Sequence, residues 1–230
     1  MKKLLDIFLS LKTTLILLFI LGVGAAVATF IENDFGTSSA RVLVYNHWWY
    51  ETMLILAGLN MAGIMHKRKM WKQPSRFVFH FAFLVILIGA GLTRYAGEEG
   101  VLHIREGKTE NRMISMEPYL QVTIYDKGKT YFQEFNKNFT ALGSNYFKEN
   151  ISFGSDSVSV AFADYSYTKQ GSSGMGMLSV EVCYKESCKV EKLVGQRAMK
   201  GYPKRFKFGE LEMDVEYGSK ILPLPFSVKL

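Results

Sequence analysis

The stretch FVFHFAFLVILIGAGL, residues 77–92, follows the basic segment HKRKMWKQPSR, residues 66–76. Apart from His80 it carries no ionisable side chain, and with a few flanking residues it is long enough to cross ~30 Å of hydrocarbon. An ionisable ring at membrane depth usually serves something other than packing. A neutral imidazole is also a good axial ligand for haem iron. Three readings of His80 stay open on the residues alone: cofactor ligand, proton relay, or packing residue bonded to a neighbouring helix.

Working outward, two more apolar runs precede it. Residues 14–31 are uncharged, and residues 48–65 begin with Trp48, Trp49 and Tyr50, an aromatic belt at one membrane face. The pattern predicts three transmembrane helices near 14–31, 48–65 and 77–95, followed by an all-β domain that looks incomplete. A cleaved signal peptide is the rival for the first run, with Lys2, Lys3 and Lys12 as its basic end and Ala26-Val27-Ala28 as a small-residue site. Retention fits better, because two further runs follow. Small residues recur at packing intervals, Gly22 with Ala26, Gly24 with Ala28 and Gly58 with Ala62, and let helix backbones approach.

Charge orients the helices. The chain of 230 residues carries a net charge of +7, of which +6 belongs to residues 1–95. Those basic residues gather at the N-terminus and in 66–76. The positive-inside rule then places both in the cytoplasm and residues 96–230 outside it. A folded nucleic-acid footprint needs a basic patch, and residues 96–230 are nearly neutral.

From Gly97 the periodicity shortens to alternation. Strands are expected over 101–105, 119–125, 130–135, 157–165, 177–184, 189–194, 206–208, 211–215 and 225–230. Asp126 to Lys129 reads as a turn, Asn145 as a single helical turn, and Gly171-Ser172-Ser173-Gly174 as a loop. The boundaries divide the chain into a transmembrane region, 1–95, and an extracytoplasmic β-rich domain, 96–230. The closing strand suggests a fragment, or strands supplied by another chain.

Cys183 and Cys188 flank a four-residue stretch. With Lys185-Glu186 as a two-residue turn they face each other closely enough for a disulfide. A structural disulfide, two buried thiols and a redox or haem-attachment role all remain open. The attachment motif C-x-x-C-H is absent.

Four histidines are present. His66 lies in the basic run, His47 at the aromatic belt and His103 in an expected strand, and none pairs at metal-ligand spacing. His80 alone reaches membrane depth, so it supplies one axial ligand at most. Arg76, one turn earlier, is positioned either to contact a haem propionate or to anchor the helix. Asn60 lies at matching depth, either hydrogen-bonding the non-ligating ring nitrogen of His80 or joining helices.

Several stretches together resemble the ResB/CcsB family of System II cytochrome c biogenesis proteins. They are Ser10-Leu11-Lys12, His47-Trp48-Trp49-Tyr50, Leu59-Asn60, His80 with Gly89-Ala90-Gly91-Leu92-Thr93, and Leu224-Pro225-Phe226-Ser227-Val228-Lys229-Leu230. The resemblance implies the N-terminal part of a haem exporter and holocytochrome c synthase in the bacterial inner membrane, in some members fused as CcsB–CcsA. It implies haem b as transported ligand, with His80 as axial ligand to the iron. A CcsA/ResC-like partner would supply the second histidine and most of the attachment chemistry, so no catalytic residue is expected here. Apocytochrome c with its CxxCH thiols, and thiol reductant proteins, are the further partners implied. A haem-free envelope scaffold and a subunit of a proton-translocating respiratory complex are the alternatives.

Overall fold

A computed structural model describes residues 2–170 and 173–230. They form two compact units, one of residues up to Asn33 with Ala40–Glu98, the other of Asp34–Ser39 with Glu99–Leu230.

The first unit is helical. Helix α1 spans Lys2–Phe8, α2 Leu11–Ala40, α3 Trp48–Lys67 and α4 Pro74–Ala96. Proline at the first position of α4 starts it without wasting an amide donor. Within α2 the helical geometry breaks at Gly36, whose φ of 82° suits a residue without a Cβ. A π-helical turn, Arg41–Tyr45, continues the chain.

The expected three transmembrane helices are corrected here. Two helical stretches among the described residues are long and apolar enough to cross a membrane: Leu11–Tyr45 and Pro74–Ala96. Helix α3 is not one of them. Its 20 residues include Glu51, Asn60, His66 and Lys67, and Trp48, Trp49 and Tyr50 add polar ring atoms, all of which dilute its apolar character. Helix α1 was not anticipated. It is short and bears Lys3 and Asp6 among its apolar residues.

Small residues mark some of the helix contacts. A Cβ on Gly24 would lie 2.9 Å from the Trp49 ring, and one on Gly58 would lie 2.7 Å from Leu87. Gly22 has open space instead. Asn60 is fully buried. Its Oδ1 accepts a 2.7 Å hydrogen bond from the Thr14 hydroxyl, and its Nδ2 donates to the Phe8 carbonyl. One amide therefore ties α3 to α2 and to the end of α1.

The second unit is built of antiparallel strands in two sheets. One contains β1 (Gly100–Val101), β2 (Thr109–Asp126), β3 (Lys129–Asn136), β8 (Lys204–Phe208) and β9 (Leu211–Lys229). The other runs in order β4 (Lys148–Phe153), β5 (Asp156–Gln170), β6 (Ser173–Tyr184) and β7 (Ser187–Val194). Inward positions alternate as a half-buried strand requires. Leu120, Val122 and Ile124 of β2 join Met213, Val215 and Tyr217 of β9. Across from them lie Val158, Val160, Val180, Val182 and Leu193, and all eleven are essentially inaccessible.

Sequence periodicity missed β4, because KENISF offers only Ile151 and Phe153 as buried positions. It also overextended the first strand. Only Gly100–Val101 pairs, and His103 lies in irregular backbone, exposed to solvent. The expected strands over 211–215 and 225–230 fall in one strand, β9, whose pairing with β2 shifts register between Glu110 and Arg112 and between Ile114 and Pro118. Asn145 lies in a loop, not a helical turn, and its amide bridges both backbone groups of Thr140. Of the expected loop 171–174, Ser173 and Gly174 begin β6, while Gly171 and Ser172 lie outside the described residues.

Two features stiffen the sandwich. The Tyr217 hydroxyl accepts a 3.1 Å bond from the Phe139 amide deep in the core. Gly195 crosses so close to β9 that any Cβ there would run into the Tyr217 carbonyl. Tyr165 is pushed up to about 12 by burial, with Tyr167 nearby adding to the effect.

Candidate functional site

His80 sits one turn beyond Arg76 on α4 and is half-buried, on a helix in which no residue is fully buried. Its Nδ1 lies 2.8 Å from the Arg76 carbonyl oxygen. A carbonyl only accepts, so this contact requires the proton on Nδ1. In a neutral ring with that tautomer, Nε2 is the nitrogen that carries the lone pair and through which a metal would bind. A backbone carbonyl behind the ring is a common way of holding a ligating histidine in one tautomer.

Phenylalanines line the helix around the ring. Phe79 packs edge-on to His80 at 5.4 Å and against Phe83 at 5.2 Å. Phe77 and Phe81 stack at 5.5 Å with planes 11° apart. A flat apolar macrocycle could rest on such a surface, and lipid chains could as well.

Arg76 is exposed, and its Nη1 donates to the Gln73 side chain at 3.0 Å. It remains within one helical turn of His80 but turns back along the helix in this arrangement. Asn60 is not brought to His80. Its amide oxygen and nitrogen are engaged by Thr14 and Phe8, and the ring nitrogen expected to meet it is held by the Arg76 carbonyl. Depth along a helix is legible from residue count, whereas the facing direction depends on which neighbour packs there.

The other histidines have surroundings of their own. His47 precedes α3 in extended backbone, His66 packs on the Trp71 ring at 5.4 Å, and His103 borders a surface depression beside Glu110 and Arg112. Cys183 and Cys188 are joined by a disulfide across the β6–β7 hairpin. Glu181 lies within 4.8 Å of both sulfurs. Because the sulfurs are bonded to each other, this trio is not a thiolate metal site.

One polar cluster was missed from sequence. Arg94 of α4 donates to Glu51 of α3 and, at 3.1 Å, to the Tyr45 carbonyl, while Tyr95 donates to Glu51 at 2.8 Å. Opposite charges at the matching ends of two antiparallel apolar runs were the available signal. The cluster locks the α3–α4 ends at the side opposite His80.

No family model matches the chain. The chain is similar to Protein NrfI of Wolinella succinogenes, with 41% identity over 223 residues. The alignment covers 96% of this chain and 25% of the relative, so the chain spans about a quarter of that protein's length. This finding corrects the expected membership of the ResB/CcsB family: the motifs that carried it do not match a family model, and the similarity found is to NrfI.

Proposed function

We propose that this chain is a membrane-associated part of a longer cytochrome c maturation protein, and that His80 binds the iron of haem handled there as substrate. The similarity to NrfI over nearly the whole chain supports the cytochrome c reading. The observation that carries the haem reading is the half-buried His80 ring itself, with Nδ1 held by the Arg76 carbonyl, on a helix whose Phe79 and Phe83 rings are exposed. Two stretches long and apolar enough to span a bilayer support membrane association.

His80 offers one axial bond. The second would come from a histidine outside residues 1–230, in the remainder of a longer protein or in a membrane partner. Positive charge over residues 66–76 favours a cytoplasmic location for the His80 end of α4. Haem would be taken up at that side, within reach of Arg76 for a propionate. Reduced CxxCH thiols of an apocytochrome c would meet it at the other side, where the β unit offers a nearly neutral surface suited to protein contact.

The test is cytochrome c maturation in cells carrying the longer protein. His80→Ala should lower covalent haem on a reporter apocytochrome, and added imidazole should restore part of it. Wild-type maturation by His80→Ala protein would refute the ligand role.

A further inference from the structure

The disulfide belongs to a surface that neither the haem reading nor the sandwich core accounts for. Register aligns Asn150 with Ser159, Ser159 with Cys183, and Cys183 with Cys188, one residue from each strand of the second sheet. Val158, Val160 and Val182 alternate with these positions and are buried. The row therefore runs across the outward face. It ends at sulfur, with Cys188 exposed and Cys183 half-buried.

Small polar side chains keep that face open. Ser157, Ser159 and Asn150 line a depression of about 370 Å³ that reaches Cys183, with Asp156 and Lys185 at its rim. Strand faces usually carry β-branched or aromatic residues. Such residues at 157 and 159 would fill the depression beside the disulfide. Exchange requires access of a thiolate to one sulfur in line with the bond, and exposure decides which disulfides are labile.

We propose that Cys183–Cys188 is a thiol–disulfide exchange site, and that the depression seats a protein segment bearing two nearby cysteines. A thiolate of the segment attacks Cys188 Sγ, the Sγ–Sγ bond breaks, and Cys183 leaves with the electron pair and takes a proton from water. The segment's second thiolate then attacks its own sulfur in the mixed disulfide and releases Cys188, which is protonated in turn. Two electrons pass from the dithiol to the pair, and the segment ends as a disulfide. The reverse sequence applies when the pair starts reduced. This inference does not depend on haem binding by His80.

The experiment uses the full chain in detergent, with a synthetic CxxC dithiol peptide and dithiothreitol as separate probes. Alkylation followed by mass measurement reads the reduced fraction, and far-UV circular dichroism reads the fold. The peptide should reduce the pair while the sheets stay intact. Ser159→Phe and, as an independent variant, Ser157→Phe should slow the peptide about tenfold, the scale of one lost anchoring contact. Neither should change the rate with dithiothreitol. Reduction that occurs only after the sheets melt would overturn the proposal. So would folded phenylalanine variants that react with the peptide at the original rate.

Discussion

Phe81 on α4 is 48% exposed and Phe206 on β8 is 1% exposed, although both belong to well-formed elements. The difference separates the two units. In the β unit, alternation lets each strand bury one face against the opposite sheet, so the core is completed by this chain's own residues. In α4 no residue is fully buried: Leu84 and Leu87 are half-buried toward α3, and Val78, Phe79, Ile86, Ile88 and Leu92 are all more than half exposed. Such a surface is stable only where something other than water covers it. Lipid does so without specificity, and a further protein segment does so with it. His80 stands at the border of that surface, half-buried on the face it shares with Leu84 and Leu87.

The sharpest way to break this comparison is to remove one phenyl ring from each unit. Phe206→Ala should cost about 3–5 kcal/mol through lost burial and a cavity. Phe81→Ala, in detergent, should change stability by less than about 0.5 kcal/mol, as for a surface position. Denaturant titrations followed by far-UV circular dichroism measure both. Similar losses at the two sites would mean that Phe81 is packed by this chain after all.

A smaller effect tests a buried polar tie in the helical unit. Asn60→Ala leaves the Phe8 carbonyl and the Thr14 hydroxyl without that partner, at a cost of about 1–3 kcal/mol. Thermal unfolding in detergent should show it, and haem content should not change, because Asn60 does not touch His80. Loss of haem in a folded Asn60→Ala protein would restore the expected hydrogen bond from Asn60 to the His80 ring.

The smallest effect concerns pH. Burial raises the Tyr165 phenol from 10.0 to about 12, so the native state holds its proton more tightly than the unfolded chain. The associated stability is complete below pH 10 and is lost as pH rises toward 12, by about 2 kcal/mol. Tyr165→Phe should flatten that alkaline decline, read as denaturation midpoints from pH 9 to 12 (about the span of the shift). An unchanged slope would mean the phenol is not shielded as described.

Legibility followed the physics of each region. Long apolar runs announce helices whatever covers them, so α2, α3 and α4 were visible in the sequence. Which of them could span a membrane was not, since Glu51, Asn60 and His66 dilute α3 while the aromatic belt makes it look interfacial. The break at Gly36 was hidden too, because glycine occurs inside membrane helices as well as at their ends. In the β unit, β5 and β6 were readable from alternation. The hairpin register at Cys183 followed from a two-residue turn, whose Lys185 adopts φ of 54°. The short strand β4 and the merging of two expected strands into β9 depend on partners far away in sequence. His80 was legible as an anomaly. Its hydrogen bond to Arg76 was not, because a ring nitrogen can turn to its own helix as readily as to a neighbour.

The most direct measurement is the visible spectrum of the protein purified from membranes with whatever haem it retains, with and without His80→Ala. The account predicts that the folded variant loses the haem absorbance of an imidazole-ligated iron, and that imidazole in the buffer recovers it. Unchanged haem content and an unchanged spectrum in the folded His80→Ala protein would contradict it.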